Sequence, residues 1–246
     1  GEDRTIAVTL GSDLEQRRTR FVAKPLGYLG SSALAPDGSR VALTARGHVA
    51  VATPGPRRRV EIAPPPEARL REAVFSRDGA HVFAIVDAAG RSQIWRFAAD
   101  GSGAGEALTS DAIRHRWHLL PSPDGRYLAH DTSDGELWLL DLRDGRNRRI
   151  DVAEHSRDDA YQRVSWSPDA RHLAVSRVDS ARLLNQIVLI DVVDGSRTTL
   201  TSDRYESFSP TFSPDGRWLW FLSNRSFQTS VNAPWGDRNT GPFFDR

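Results

Sequence analysis

The chain has 246 residues, of which 39% are hydrophobic and 26% are charged, and its formal net charge is +1. This is an ordinary globular composition, with enough apolar residues for one large domain. The nearly balanced charge favours neither nucleic acid nor a membrane surface, and we expect neither as a partner. Cysteine is absent, which excludes disulfides and thiolate metal sites and fits the cytoplasm and the periplasm equally.

A short turn sequence recurs along the chain, with its clearest copy, Ser-Pro-Asp-Gly, at 213–216. Its aspartates lie 41, 46, 45 and 46 residues apart, and a period of this size indicates a repeat architecture. Proline presets φ for a type I turn, serine hydrogen-bonds the turn backbone, and glycine closes the turn at positive φ. We therefore interpret five aspartates as turn formers: Asp37, Asp78, Asp124, Asp169 and Asp215.

Each turn is flanked by apolar residues, as in a β-hairpin, and a second strand pair follows in most copies. In the third repeat, strands are predicted at 126–130, 136–141 and 147–152, after the strand that leads into the turn. Four short strands in a repeat of this length match one propeller blade. The sequence thus predicts an all-β fold: a β-propeller of four-stranded antiparallel blades, with five motif-bearing repeats and six or seven blades in the complete ring.

The predicted organisation has three parts. Residues 1–20 contain one strand at 5–10 and a charged linker, and we expect this strand to be the outer strand of the last blade, where it clasps the ring and hides two sheet edges. The repeats span about 21–66, 67–108, 109–152, 153–200 and 201–223. Residues 224–246 form an irregular extension. Because the fifth repeat shows only two strands and the chain lacks methionine, we expect the parent chain to continue.

Patterns that suggest chemistry have simpler explanations here. The glycine-rich segment 101–105 lacks the lysine of a phosphate loop and is interpreted as a flexible turn. His115 and His118 would point to opposite faces of a strand, so a shared metal is not expected. A Gly-x-Ser-x-Gly elbow is absent, and the turn at Asp215 lacks the alternating acidic ligands of a calcium loop. We expect no catalytic residue, metal or cofactor in this chain.

Aligning the repeats on the turn aspartate separates core positions from candidate ligand positions. Three residues before the aspartate the chain is uniformly apolar, which predicts inter-blade core: Leu34, Phe75, Pro121, Trp166 and Phe212. Six residues before it the chain is polar and differs between blades: Ser31, Glu72, His118, Arg163 and Ser209. These positions start the innermost strand beside the central channel, where they either hydrate the channel or contact a ligand.

The loops that lead into these strands are rich in arginine, and arginine can hold a peptide carboxylate bidentately. We predict a substrate path lined by five side chains: Arg71, Glu72, Arg116, His118 and Arg163. Removing its arginines is expected to weaken peptide entry.

The recurring Trp or Phe, Ser-Pro-Asp-Gly-Arg and Leu-Ala pattern resembles the propellers of tricorn, TolB and prolyl-oligopeptidase type. The segments 218–227, 235–237 and 242–245 look like the end of the second propeller of tricorn-like serine peptidases, and 20–22 through 45–49 look like its opening. In that family a six-bladed propeller precedes a seven-bladed one, and a helical segment, a PDZ-like domain and a serine peptidase core follow. The resemblance implies a non-catalytic piece of a peptidase that guides or size-selects peptides on the way to an active site elsewhere. We expect the parent to be a homo-oligomer in the cytoplasm, with the periplasm as the alternative compartment. Ala170, where glycine is expected, departs from the pattern.

Two other functions stay open at this point. One is a stand-alone scaffold for protein binding, as in TolB-like envelope proteins, and the other is the cap of a prolyl-oligopeptidase-type hydrolase. The sequence of the parent chain separates the three. A PDZ-like domain and a serine peptidase core support the first function, a secretion signal without a peptidase supports the scaffold, and a Gly-x-Ser-x-Gly hydrolase domain supports the cap.

Overall fold

The structure is a computed structural model that describes residues 23–55, 59–113, 115–153, 161, 163–178 and 184–224. Within these residues the chain forms five antiparallel sheets and one short 3₁₀ helix, Pro25–Tyr28. The strand predicted at 5–10 and nearly all of the predicted extension 224–246 lie outside the described residues.

The strands of each sheet are neighbours in sequence order, so each sheet is a meander. Blade 1 contains β1 Leu29–Leu34, β2 Val41–Ala45, β3 His48–Ala52 and β4 Val60–Ile62. Blade 2 contains β5 Arg69–Phe75, β6 His81–Ala88, β7 Arg91–Ala98 and β8 Glu106–Ala107. Blade 3 contains β9 Arg116–Pro121, β10 Tyr127–Thr132, β11 Glu136–Asp141 and β12 Asn147–Val152. Blade 4 contains β13 Val164–Trp166, β14 His172–Val178, β15 Asn185–Asp191 and β16 Arg197–Thr199, and blade 5 contains β17 Glu206–Phe212 and β18 Leu219–Asn224.

The predicted four-stranded antiparallel blades are confirmed for four repeats, and the fifth repeat shows two strands among the described residues. The consecutive meanders are the arrangement of propeller blades. The closure of the ring and its six or seven blades stay predictions.

The recurring turn is held by a fixed set of hydrogen bonds, shown here for blade 5. The Ser213 hydroxyl donates to Asp215 Oδ1 at 2.6 Å and accepts from the Trp218 amide at 3.0 Å. Asp215 Oδ1 also accepts from the Arg217 amide at 3.1 Å, and the Gly216 amide donates to the Ser213 carbonyl at 2.9 Å. One serine and one aspartate thus satisfy the polar groups of a turn that must reverse the chain within four residues.

The other copies of the turn repeat this set with local substitutions. The hydroxyls of Ser76, Ser122 and Ser167 bond the aspartate two residues on. In blade 1 the serine is replaced by Ala35, and Ser39 supplies the hydroxyl to Asp37 from the other side at 2.8 Å. The closing residue is left-handed throughout. Ala170 adopts φ +57° in place of a glycine, a conformation that is unfavourable for a residue with a Cβ.

Neighbouring blades are joined by direct hydrogen bonds as well as by apolar packing. Four contacts between successive blades are Arg40 Nη2 to the Gly79 carbonyl at 2.6 Å, Arg71 Nη1 to the Arg116 carbonyl at 3.1 Å, Trp166 Nε1 to the Leu120 carbonyl at 3.1 Å, and the Phe212 amide to Ser165 Oγ at 3.3 Å. Each blade thus supplies its neighbour with partners for groups that the sheet itself leaves unpaired.

The apolar core consists of the layers between blades. One cluster joins blades 1 and 2, a second joins blades 2 and 3, and a third joins blades 3 and 4. Phe75 is 5% exposed, as predicted, but Leu34 is 68% exposed and the prediction of core was wrong there. No described blade packs against that side of blade 1, so Leu34 has no neighbouring sheet to bury it.

The meander divides the blade ends into two faces. One face carries the turn after each innermost strand and the turn between the third and fourth strands, and we call it the turn face. The opposite face carries the hairpins between the second and third strands and the loops that enter each blade, and we call it the loop face. The predicted substrate-path residues start the innermost strands and therefore lie towards the loop face.

Two glycines of the segment 101–105 are required by packing. A Cβ on Gly101 would collide with the Val60 side chain of blade 1, and a Cβ on Gly105 would collide with the Phe97 ring. Both positions lie between β7 and β8, where the sequence predicted a turn.

The turn of blade 3 lies close to the turn of blade 2, and two glycine-to-alanine substitutions test this contact. Gly38 (φ +71°) has no atom within 4 Å of the position of a new Cβ, whereas Gly125 (φ +73°) would place its Cβ 3.0 Å from Arg77 Cβ of blade 2. Gly38→Ala is expected to lower the free energy of unfolding by about 1 kcal/mol through its left-handed backbone. Gly125→Ala is expected to cost about 1 kcal/mol more, because it also crowds the neighbouring blade. Urea denaturation measures both, and equal losses would show that the turn does not press on blade 2.

Candidate functional site at the loop face

The innermost strands are irregular near the position six residues before each turn aspartate. The register of the innermost strand shifts there in blades 1, 2, 3 and 5. Glu72 and Ser209 have φ values of +47° and +53°. Such β-bulges redirect side chains and are frequent beside functional sites. The polar residues predicted from the alignment thus occupy the places where the strands depart from regular pairing.

Glu72 lies between polar side chains of two neighbouring blades. Burial raises the pKa of its carboxyl group, while the His118 imidazole of blade 3 and the Ser31 hydroxyl of blade 1 act in the opposite direction. A half-buried carboxylate of this kind is stabilised by a nearby cation or hydrogen-bond donor. Ser31, Glu72 and His118 therefore lie close together as a polar row across three successive blades, and the buried Ser31 Oγ has no hydrogen-bond partner among the described residues.

His118 is held in place by a carboxylate from its own blade. Asp131, on β10, accepts a hydrogen bond from the His118 amide at 2.8 Å, and its Oδ1 and Oδ2 lie 3.1 and 3.2 Å from His118 Nδ1. The Asp131 side chain is buried, while the His118 side chain is 37% exposed. This contact places the hydrogen of a neutral His118 ring on Nδ1 and gives the ring a fixed orientation.

Arg71 and Arg116 are engaged in contacts between blades 2 and 3. The Arg71 guanidinium makes a two-pronged ion pair with Asp87 and also donates to the Arg116 carbonyl. Arg116 is 0% exposed, and it pairs with Asp111 at 2.6 Å and donates to the Ser92 carbonyl. The contribution of these two arginines to a substrate path stays a prediction, and their geometry gives them a role in joining the blades. Arg163 is exposed at the start of blade 4.

The ion pair of Arg116 continues into a buried network that the sequence did not suggest. Asn147 Nδ2 donates to Asp111 Oδ2 at 3.0 Å, and His130 Nε2 lies 3.0 Å from Asn147 Oδ1. The His130 ring is buried and stacks on Trp138 with 6.3 Å between ring centroids. Burial, with a further contribution from Arg116, lowers the pKa of His130 to about 3. This histidine is therefore neutral at any physiological pH.

A second buried network connects blade 3 to blade 4. Asp151, on β12, pairs with Arg177, on β14, and accepts a hydrogen bond from the Tyr161 hydroxyl at 2.9 Å. Arg197 reaches the same carboxylate at 3.0 Å. Burial raises the pKa of the Tyr161 hydroxyl, so the group stays protonated and donates. Two cations and one hydroxyl thus compensate the buried charge of Asp151.

Two kinds of feature are absent from the described part of the chain. It contains no set of three or more His, Asp and Glu side chains arranged to share a metal ion. Over the same residues, no helix has the length and apolar character that crossing a bilayer requires.

The sequence profile of a family described as the tricorn protease second beta propeller domain matches residues 29–236. The chain belongs to this family.

Curated relatives agree with this assignment. Tricorn protease homolog 1 of Streptomyces coelicolor is 31% identical over 194 residues, which cover 77% of this chain and 18% of the relative. The tricorn protease homolog of Saccharolobus solfataricus is 23% identical over 218 residues, which cover 89% of this chain and 19% of the relative. This tricorn-type propeller thus spans about a fifth of the length of these two proteins.

Solved structures support the fold. A crystal structure of the tricorn protease superposes with a TM-score of 0.73 at 17% identity, and the match covers 94% of this chain and 22% of that one. The structure of a TolB from Agrobacterium tumefaciens superposes with a TM-score of 0.60 at 19% identity, and the match covers 81% of this chain and 72% of that one. The resemblance to both tricorn-type and TolB-type propellers is therefore confirmed at the level of fold.

The buried histidine generates a prediction about pH. His130 is neutral in the folded protein down to about pH 3, whereas an unfolded histidine takes up a proton near pH 6.5. Protonation of this histidine thus favours the unfolded chain. The contribution of His130 to the free energy of unfolding is complete above pH 6.5 and falls by about 1.4 kcal/mol per pH unit below it. His130→Gln is expected to remove most of this slope between pH 6.5 and 4.5, as measured by urea denaturation at each pH.

The control for this experiment is His48→Gln, because the His48 side chain is 65% exposed and its one ion-pair partner among the described residues, Glu61, is also exposed. This substitution leaves the buried network around His130 intact, so the slope should change far less than in His130→Gln. A His130→Gln slope that equals that of the parent protein would contradict the assignment of a buried neutral imidazole.

Proposed function

We propose that this chain is a non-catalytic propeller domain of a tricorn-like serine peptidase and that it guides or size-filters peptides towards an active site elsewhere in the parent protein. The observation that carries the proposal is the row of polar side chains at the loop face of a tricorn-family propeller. Ser31, Glu72 and His118 lie close together on three successive blades at strand bulges, and none of them belongs to the apolar layers between sheets.

The polar row suits passing contacts with a peptide backbone. Glu72 offers an acceptor, His118 offers a ring nitrogen whose orientation Asp131 fixes, and Arg163 offers an exposed cation. A peptide carries alternating amide donors and carbonyl acceptors, and each contact of this kind contributes modestly. Weak and exchangeable contacts favour passage through a channel over retention in it. Arg71 and Arg116 complete the proposed substrate path, and their hydrogen bonds join blades 2 and 3.

The same proposal includes the partners of the domain. Peptides are the ligands, and a PDZ-like domain and a peptidase core of the same parent chain are the neighbouring domains. The parent is a homo-oligomer in the cytoplasm. The similarity of this chain to tricorn protease homologues supports this assembly.

A TolB-like scaffold function is the competing proposal, because the chain also superposes on a TolB propeller over most of that structure. A scaffold would use the loop face to hold a folded protein and would show no dependence on peptide length.

Substitutions at the polar row test the guiding role in the full-length parent protein. Glu72→Gln, His118→Gln and Arg163→Gln, combined, are expected to lower kcat/KM for a peptide of ten residues by about tenfold. They should leave kcat/KM for a dipeptide amide within about twofold, because the active site lies elsewhere. The measurement is steady-state hydrolysis followed by chromatography of the products.

The control is Glu106→Gln, which removes an exposed carboxylate on β8, near the outer edge of blade 2. It should change neither rate. Equal turnover of the long peptide by the triple variant and the parent would refute the guiding role. That result would favour the scaffold function, which does not depend on peptide length.

A further inference from the structure

A cavity of about 260 Å³ opens on the loop face between blades 2 and 3, and none of the polar-row residues is in its lining. The β6–β7 hairpin and the loops that enter blades 2 and 3 surround it. The lining residues are Glu67, Arg69, Asp87, Ala88, Ala89, Gly90, Arg91 and His115. The hairpin tip has only methyl groups or hydrogen as side chains at 88–90, and these small residues leave the space open.

Two arginines at this cavity lack carboxylate partners. Arg69 and Arg91 are both exposed, and no described residue forms an ion pair with either of them. The side-chain stem of Arg69 packs against Gly47 of blade 1. A Cβ atom added at Gly47 would lie only 3.2 Å from the Cβ and Cγ atoms of Arg69. Two cations at one cavity repel each other, and an anion between them would relieve that repulsion.

The remaining charges at the cavity leave it positive. Asp87 is neutralised by Arg71, and its Oδ1 also accepts a hydrogen bond from the Ser92 hydroxyl at 2.5 Å. Glu67 is exposed at the rim and is the single described acid of the lining that lacks such a partner. Arg69 and Arg91 therefore exceed the available negative charge by one.

His115 also lines the cavity, and its ring carries a buried nitrogen, Nε2, without a hydrogen-bond partner among the described residues. The ring is held edge-on against Trp117, with 4.3 Å between centroids. A buried polar atom without a partner costs free energy unless a ligand or a water satisfies it. The cavity has room for a carboxylate together with several waters.

We propose that this cavity binds a carboxylate group, with Arg69 and Arg91 as its ion-pair partners and His115 as a hydrogen-bonding side chain. The proposal deepens the proposed function, on which it rests, because it names the carboxylate of a peptide as the recognised group. A peptide carboxylate comes either from the C-terminus or from an acidic side chain, and both sources share this chemistry.

Binding of small peptides to the full-length protein tests the site. The protein is first treated with a serine-reactive sulfonyl fluoride, so that a probe is not hydrolysed. The probes are dansyl-tetraalanine as the free acid, the same peptide as its C-terminal amide, and dansyl-Ala-Ala-Asp-Ala-amide. Fluorescence anisotropy gives their dissociation constants.

The free acid is expected to bind about tenfold more tightly than the amide. Arg69→Gln combined with Arg91→Gln should reduce this preference to less than about twofold, while Glu67→Gln should increase it by removing the opposing charge. Arg217→Gln is the matched control, because Arg217 is also exposed but lies on the turn face of blade 5. It should leave the preference unchanged.

Tight binding of the aspartate-containing amide, lost in the double arginine variant, would support the site and assign it to acidic side chains. Equal binding of acid and amide by the parent protein, or a preference that survives the double variant, would overturn it. The two proposals fail separately. Unchanged long-peptide turnover in the polar-row variant refutes guidance alone, whereas equal acid and amide binding refutes only the carboxylate site.

Discussion

The contact between one blade and the next is the constraint on which the rest of this structure depends. Each sheet is apolar on both faces, so a single blade cannot bury its own surface and is stabilised only by its neighbours. The three core clusters are layers between blades, and hydrogen bonds such as Trp166 to the Leu120 carbonyl fix how those layers are aligned. The position of every loop-face residue follows from this alignment.

Charged side chains lie inside these contacts, and they define the geometry more than they add stability. Arg116 and Arg177 are both buried, and each is paired with a carboxylate, Asp111 or Asp151. Burying an ion pair gains little net free energy over apolar packing, but leaving one partner alone is costly. The Asp151–Arg177 pair joins blades 3 and 4, so any arrangement that separates these two blades leaves a buried charge without its partner. The Asp111 pair is local to the loop that enters blade 3, and it holds Arg116 where the guanidinium reaches the Ser92 carbonyl of blade 2.

The same register creates the polar surface that the proposed function uses. The innermost strand of each blade begins at the loop face, and its bulge turns residues such as Glu72 away from regular pairing. Because blades are adjacent, the bulge residues of successive blades meet, as Ser31, Glu72 and His118 do. In a repeat architecture, the position six residues before each turn aspartate thus lies beside the same position of the next blade. Together these positions form a continuous surface.

Local features were predictable from the sequence, and contacts between repeats were not. The turn residues are local, and the strands predicted at 136–141 and 147–152 match β11 and β12. Repeat alignment located Glu72 and His118, since their positions recur. The Ser92 partner of Arg116 could not be identified, because it lies in the neighbouring blade and no sequence pattern marks it. The contact of His130 with Asn147 lies within blade 3, but it joins two strands that are not adjacent in the sheet, and no sequence pattern marks it either. Leu34 was misassigned because burial depends on a neighbouring sheet.

In the proposed function, peptides meet this domain at its loop face on their way to a distant active site. The most direct measurement is the structure of the full-length parent protein by electron cryomicroscopy, with a non-hydrolysable peptide bound. If this domain guides peptides, peptide density is expected beside the bulges of blades 1–3, continuous with a passage to the peptidase centre. A loop face that is sealed by another domain, with peptide reaching the active site by a separate route, would contradict it.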